Sequence, residues 1–263
     1  MKLDSFNSKY FEIKAILQLE LKLKPELLNT LNSAILIFPI NSTFYNLRGN
    51  IYLSSGDFDY AIQDLTKSIE YAKNDTFKSI GFVNRGAAKI YKRDHEGAYN
   101  DYMEAYKIDS TDVRTLNNLG TVCDEVGRGD ETMKYFLKII EIDSNSTAAY
   151  INIGFKYQEM GEYAKSIKYF NKAVVLEPNQ ALSYSNRSYS KLKLGDLKGG
   201  MKDIEKSIKL YPSNSYAYRT RALIYIELGK KEKACDDLET AINYGFTVSY
   251  GKEVYNLMML HCK

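Results

Sequence analysis

The sequence predicts an all-α protein built from repeated pairs of short helices. Small residues recur every 34 positions, at Gly86, Gly120, Gly154, Ser188 and Ala222. Apolar residues follow helical spacing inside each interval. The 263 residues include only 4 prolines, and proline interrupts helix interiors. A constant period of this length is typical of repeat proteins, whose units stack on one another.

Three more ladders share the 34-residue period and place the elements within each unit. The first consists of glycines that punctuate two helices: Gly127, Gly161, Gly195 and Gly229. The second consists mostly of small residues: Ala98, Thr132, Ser166, Gly200 and Ala234. The third consists of large apolar residues: Tyr102, Phe136, Phe170, Ile204 and Leu238. Gly49 precedes Gly86 by 37 positions, so one unit carries three extra residues.

The unit 147–180 shows how one interval folds. Tyr150, Ile153 and Tyr157 lie on one helical stripe,. Gly161 then ends the first helix, and a second apolar stripe follows it. Each unit is therefore predicted to be two short antiparallel helices.

This unit resembles the tetratricopeptide repeat (TPR). The matching residues are Tyr150, Ile153, Gly154, Tyr157, Gly161, Phe170, Ala173 and Pro178. The resemblance implies a right-handed superhelical solenoid of about seven helix–turn–helix repeats in one domain, 1–248. On the same template the units are 8–41, 42–78, 79–112, 113–146, 147–180, 181–214 and 215–248. The chain departs from the family at Lys89, Cys123 and Lys191, where a large aromatic is preferred, and at Arg93, where glycine is preferred.

The first unit, 8–41, contains conflicting signals. Residues 17–24 alternate leucine with polar residues, a pattern typical of a half-buried strand,. A lone strand would leave its backbone groups unpaired, and the sequence offers no partner strand. Ala15 and Ala34 keep the phase of the repeat. We therefore predict a degenerate helical repeat.

The segment 249–263 is predicted to be a C-terminal capping helix. Val254, Leu257 and Met258 share one face between Lys252 and Cys262. A solenoid needs such a cap because its last repeat otherwise exposes an apolar face. Residues 258–260 are apolar on more than one side, so self-association through this helix is the alternative role.

Composition limits the possible functions. Lys plus Arg number 36 against 33 Asp plus Glu, a net charge of +3, which argues against a nucleic-acid partner. The three cysteines form no CxxC pair, so we expect free thiols in a reducing compartment. No metal-ligand spacing, cofactor motif or catalytic arrangement is present. The N-terminus lacks a signal peptide and no apolar run could span a membrane, so a cytoplasmic protein without membrane insertion is expected.

The TPR resemblance implies a concave groove lined by the first helix of each unit. Carrying the family's groove positions over by phase predicts a partner-binding surface in the last three units. Its residues are Ile151, Phe155, Glu159, Leu182, Tyr189, Tyr216, Arg219 and Leu223. Such a surface suits an amphipathic helix or an extended peptide with apolar anchors.

A second candidate surface is polar and lies in the earlier units. Its residues are Asn50, Asn84, Arg114 and Asn118. They are similar in phase to the residues with which some TPR co-chaperones hold a C-terminal carboxylate. That clamp uses three cations and this chain offers one, so we expect weak carboxylate binding at most.

The predicted function is that of a non-catalytic scaffold for a protein or peptide partner. One alternative is an RNA-binding helical-repeat protein, disfavoured by the charge balance and by acidic groove residues such as Glu159,. Another is an accessory subunit of a separately encoded enzyme, because the repeats leave no room for a catalytic domain.

Overall fold

The computed structural model describes residues 3–262, with side chains from residue 8 onward. All regular secondary structure in this part of the chain is helical, which confirms the predicted fold class. The helices are α1 (Leu3–Glu20), α2 (Lys24–Ile37), α3 (Ser42–Ser55), α4 (Phe58–Glu70), α5 (Asp75–Tyr91), α6 (His95–Ile108), α7 (Val113–Val122), α8 (Gly129–Ile142), α9 (Thr147–Glu159), α10 (Tyr163–Leu176), α11 (Ala181–Lys193), α12 (Leu197–Leu210), α13 (Ser215–Glu227), α14 (Lys231–Asn243), α15 (Phe246–Tyr250) and α16 (Glu253–His261). A short 3-10 turn, Asp124–Val126, separates α7 from α8.

The helices pair along the chain, α1 with α2 through to α13 with α14. They form two compact units, residues 1–142 with α1–α8 and residues 143–263 with α9–α16. Within each unit, the second helix of one pair also packs on the first helix of the next pair.

The ladder of small residues exists because the helices of a pair approach closely there. A Cβ atom added to Gly154 would lie 2.7 Å from the Phe170 ring, and one added to Gly86 would lie 2.5 Å from the Tyr102 ring. Such distances are well inside van der Waals contact. The ladder that contains Gly86 and Gly154 and the ladder that contains Tyr102 and Phe170 therefore form the two sides of one contact.

The glycines between paired helices have left-handed backbone conformations. The φ angle is 74° at Gly161 and 77° at Gly195, values that glycine adopts without steric cost. Arg93 holds the equivalent position in its repeat with a φ of 60°. An L-residue pays a conformational penalty there, so this departure from the family leaves local strain.

A ladder of ion pairs joins the two helices in four of the repeats. In each, an arginine of the first helix donates two hydrogen bonds to an aspartate of the second, 16 residues later. The pairs are Arg48–Asp64, Arg85–Asp101, Arg187–Asp203 and Arg221–Asp237. Each aspartate side chain is only 5–7% exposed. These carboxylates therefore serve to hold the hairpins together.

At two positions where the sequence departs from the family pattern, a lysine joins the ion-pair ladder. Lys89 Nζ lies 2.8 Å from the Asp101 carboxylate, and Lys191 Nζ lies 2.8 Å from that of Asp203. A lysine at this position replaces the family's aromatic and adds a second cation to a buried aspartate.

The first repeat is helical, as predicted. α1 ends at Glu20, Lys22 adopts a φ of 56°, and α2 begins at Lys24. Its core is small, with Ala15, Leu27 and Leu31 fully or almost fully buried. The alternating leucines do not fit a helical stripe and are all exposed: Leu17, Leu19, Leu21 and Leu23.

The C-terminal segment corrects the expectation of three free thiols. Cys235 of α14 and Cys262 after α16 form a disulfide, with their Cα atoms 5.7 Å apart. Cys123 is buried and free. The cysteines therefore give no support for a reducing compartment. Val254 of α16 is fully buried in a cluster with Phe246.

No helix within residues 3–262 has the length and apolar character needed to cross a membrane.

Candidate partner-binding site

The predicted partner-binding residues lie on the first helices of the second unit, α9, α11 and α13, which contact one another in order. Their exposure differs widely. Phe155 is 48% exposed and Leu182 is 45% exposed, although both are large and apolar. Glu159 is exposed as well. These three side chains form the accessible part of the predicted surface.

The other predicted residues lie deeper. Tyr189, Tyr216 and Leu223 are half-buried. Ile151 and Arg219 are each only 7% exposed, so they support the surface from beneath. The predicted set is therefore a mixture of accessible groups and supporting groups.

A polar contact that sequence reasoning did not identify joins α9 to α11. The side-chain amide of Gln158 donates to the backbone carbonyl of Asn186 and to Ser190 Oγ, each at 2.6 Å. Ser190 also shares a hydrogen bond of 2.6 Å with Ser166. These groups are buried, so the network fixes the register of α9 against α11. The signal in the sequence is a glutamine one residue before Glu159 on an otherwise apolar stripe.

Four tyrosines form a continuous row across this unit. The ring centroids are 6.4 Å apart for Tyr163 and Tyr189, 6.3 Å for Tyr189 and Tyr216, and 5.8 Å for Tyr216 and Tyr250. Tilted and edge-to-face pairs at these distances are favourable. Burial raises the pKa of Tyr216 to about 12, so its hydroxyl stays neutral at physiological pH,.

Arg219 lies under the tyrosine row. Its guanidinium carbon is 5.0 Å from the ring centre of Tyr189 and 5.7 Å from that of Tyr216. Nη2 donates a hydrogen bond to Glu253 of α16, whereas Nε and Nη1 are buried without a hydrogen-bond partner. Burial opposes the charge, but the hydrogen bond and charge of Glu253 outweigh it, and the pKa of Arg219 is raised. Aromatic faces compensate part of the buried charge.

The residues of the polar candidate surface lie in the first unit and remain separate. The Asn50 amide donates to Asn46 Oδ1 at 3.0 Å. Arg114 has a side chain 64% exposed and pairs with Asp112 at 3.3 Å. Asn84 and Asn118 are half-buried. Within the described residues, no hydrogen bond or ion pair joins any two of the four predicted residues.

Family comparisons agree with the repeat seen in the structure. Models described as "Tetratricopeptide repeat" match residues 42–75, 147–180, 181–214 and 204–236. The chain is a tetratricopeptide-repeat protein. No curated protein sequence matches the chain significantly.

Solved structures of other proteins share the fold. A TPR protein from Parabacteroides merdae superimposes with a TM-score of 0.74 at 21% identity, covering 96% of this chain and 98% of that one. PilF from Pseudomonas aeruginosa gives a TM-score of 0.70 at 15% identity, with 83% and 98% covered. YrrB, described as a TPR protein with an unusual peptide-binding site, gives 0.57 at 16% identity, with 73% and 97% covered.

Proposed function

We propose that this TPR protein is a non-catalytic scaffold that binds a peptide or helix of a protein partner on the first-helix face of α9, α11 and α13. The observation that carries the proposal is the exposure of Phe155 and Leu182. Large apolar side chains that stay accessible beside half-buried tyrosines are typical of peptide-recognition surfaces.

Buried polar contacts hold the helices of this surface in fixed positions, which favours binding of a partner. The Gln158 network ties α9 to α11. The Arg219–Glu253 pair ties α13 to α16. A surface whose helices are held by buried polar contacts loses little conformational entropy when a ligand binds.

The chemistry of the surface indicates the kind of ligand. Phe155 and Leu182 would take apolar side chains of the partner. Tyr189 and Tyr216 contribute half-buried aromatic rings, and Glu159 adds one exposed carboxylate. An amphipathic segment with apolar anchors and a neutral or basic polar face fits this set.

The proposal is tested with a phage-displayed library of random peptides selected on the full chain. Affinity of the selected peptides is then measured by calorimetry for wild type and for Phe155→Asp/Leu182→Asp. Losing two apolar contacts at about 1.5 kcal/mol each weakens binding by more than tenfold. Both side chains are about half exposed, so the variant is expected to keep its helical content in circular dichroism.

The matched control is Val175→Asp, a change on α10 at a side chain that is 74% exposed. It introduces one carboxylate, half the charge added by the double variant, outside the proposed surface and should leave affinity unchanged. Selected peptides that bind the double variant as tightly as wild type would place the binding surface elsewhere. A selection that yields no peptide would contradict peptide binding.

A further inference from the structure

Helix α1 carries apolar residues on two opposite faces. One face packs on α2 and α3 through Phe11 and Ala15. The opposite face carries Tyr10 and Ile13, each 59% exposed, Ile16 at 50% and Leu17 at 53%. We call these four side chains the α1 outer face.

Among the described residues α1 packs on α2 and α3, and the side chains of its outer face stay open to solvent. A contiguous exposed apolar patch of several hundred Å² is typical of an interaction surface. With Leu21 in the following turn, which is 59% exposed, the α1 outer face leaves roughly 500 Å² of apolar area, taking about half of each large side chain. A stable protein interface buries roughly 800 Å² per partner, so this apolar patch alone supplies more than half of that area.

Charges at the two ends of the α1 outer face have opposite sign. Lys9 lies at its N-terminal end and Glu20 at its C-terminal end, and both are exposed. Neither forms an ion pair with another described residue. A face with opposite charges at its two ends is complementary to itself when two copies meet in antiparallel orientation.

We propose that the α1 outer face is the homodimer interface of this protein, occupied by the same face of a second copy. A two-fold axis passing between Ile13 and Ile16 pairs the two α1 helices antiparallel. That arrangement buries the Tyr10 and Leu17 side chains of both copies and sets Lys9 of each copy beside Glu20 of the other. An isologous contact of this kind closes on itself and does not propagate into filaments.

The C-terminal helix is the other predicted place for self-association. On α16, Tyr255, Met259 and Leu260 are exposed. Its charged residue Glu253 is already engaged by Arg219. α16 therefore lacks the paired opposite charges that make the α1 outer face complementary to itself.

The experiment measures the mass of the full chain in solution by light scattering and sedimentation equilibrium at tens of micromolar. The expected result is twice the monomer mass of 30.1 kDa. Ile13→Glu/Leu17→Glu should give a monomer with wild-type helical content, because both side chains lie away from the α1 core. The matched control, Met259→Glu/Leu260→Glu, adds the same charge to α16 and should remain dimeric.

Charge reversal tests the antiparallel orientation of the two α1 helices separately from the burial of their apolar side chains. Lys9→Glu or Glu20→Lys alone places like charges together at both ends of the interface and should weaken the dimer about fivefold or more. The double reversal Lys9→Glu/Glu20→Lys restores opposite pairs in both copies and should recover wild-type dimerisation.

Three results would overturn the proposal. The first is a wild-type monomer at these concentrations. The second is a dimer that persists in Ile13→Glu/Leu17→Glu, or one lost in the α16 variant. The third is a monomer that binds phosphatidylserine-containing vesicles through the α1 outer face, since that would assign the face to a lipid surface.

Discussion

Removing the Asp203 carboxylate tests the ion-pair ladder most directly. Asp203 accepts hydrogen bonds from Arg187 Nε at 2.7 Å and Nη2 at 2.6 Å, and Lys191 Nζ lies 2.8 Å away. Asp203→Ala leaves these two cations, 14% and 19% exposed, without a counter-charge. Losing one partner of a buried pair costs about 3–5 kcal/mol. Because the cations keep some contact with water, we expect the lower end, about 3 kcal/mol.

The assay is urea unfolding followed by circular dichroism. Asp237→Ala is the graded comparison, because Arg221 pairs with that carboxylate while Tyr225 stands at the position that Lys191 holds beside Asp203. It should lower the free energy of unfolding by about 2 kcal/mol. The neighbouring Asp236 is exposed, so Asp236→Ala should change the free energy of unfolding by less than about 0.5 kcal/mol. A cost for Asp203→Ala no larger than that of Asp236→Ala would refute the structural role of the ladder.

Four further predictions concern packing, backbone strain, the disulfide and the buried thiol. Gly154→Ala should lower the free energy of unfolding by about 1–3 kcal/mol in the same urea assay, because its Cβ would overlap an aromatic ring,; an unchanged value would contradict the close approach. Arg93→Gly should raise that free energy by about 0.5–1 kcal/mol by relieving the left-handed φ,, and a decrease would show that the arginine side chain outweighs the strain. Cys262→Ser should lower the free energy of unfolding by up to about 3 kcal/mol, because the Cys235–Cys262 disulfide no longer constrains the unfolded chain. Burial raises the pKa of Cys123 to about 11, so this thiol stays protonated at pH 8 and should react with a thiol reagent only after unfolding; three reactive thiols in urea without reductant would contradict the disulfide.

The 34-residue repeat could be predicted from the sequence because close contact between paired helices restricts the residue types at the same positions of each unit. A glycine beside an aromatic ring cannot change independently of that ring, as Gly154 and Phe170 illustrate. The departure at Arg93 was equally visible, since the position requires a left-handed backbone. Residue types that close contact requires recur in the sequence at the period of the repeat.

The ion pairs could have been found in the same way, because their members also recur in phase. The arginines stand at 48, 85, 187 and 221, and the aspartates at 64, 101, 203 and 237. The ladder is interrupted in two central repeats, where Leu119 and Ile153 replace the arginine and Tyr135 and Tyr169 replace the aspartate. Replacing a buried ion pair by apolar residues of similar volume is often neutral, so the interruption does not break the fold.

The disulfide could not be derived from the sequence. Cys235 and Cys262 are 27 residues apart, and their spacing belongs to no known pattern. Their meeting depends on how α16 packs against α14, which is a tertiary contact. The exposure of individual groove residues depends on packing in the same way. Ile151 and Phe155 share one face of α9, yet only Phe155 is accessible.

The ion-pair ladder and the proposed binding surface lie on different sides of α11. On α11, Leu182 and Tyr189 lie within about 20° of each other around the axis, whereas Arg187 lies about 140° from Leu182. Asp203→Ala should therefore lower stability while leaving peptide affinity unchanged below the unfolding transition. Phe155→Asp/Leu182→Asp should do the reverse. If both variants changed both quantities, the two sides would be coupled and the assignment of separate roles to them would be wrong.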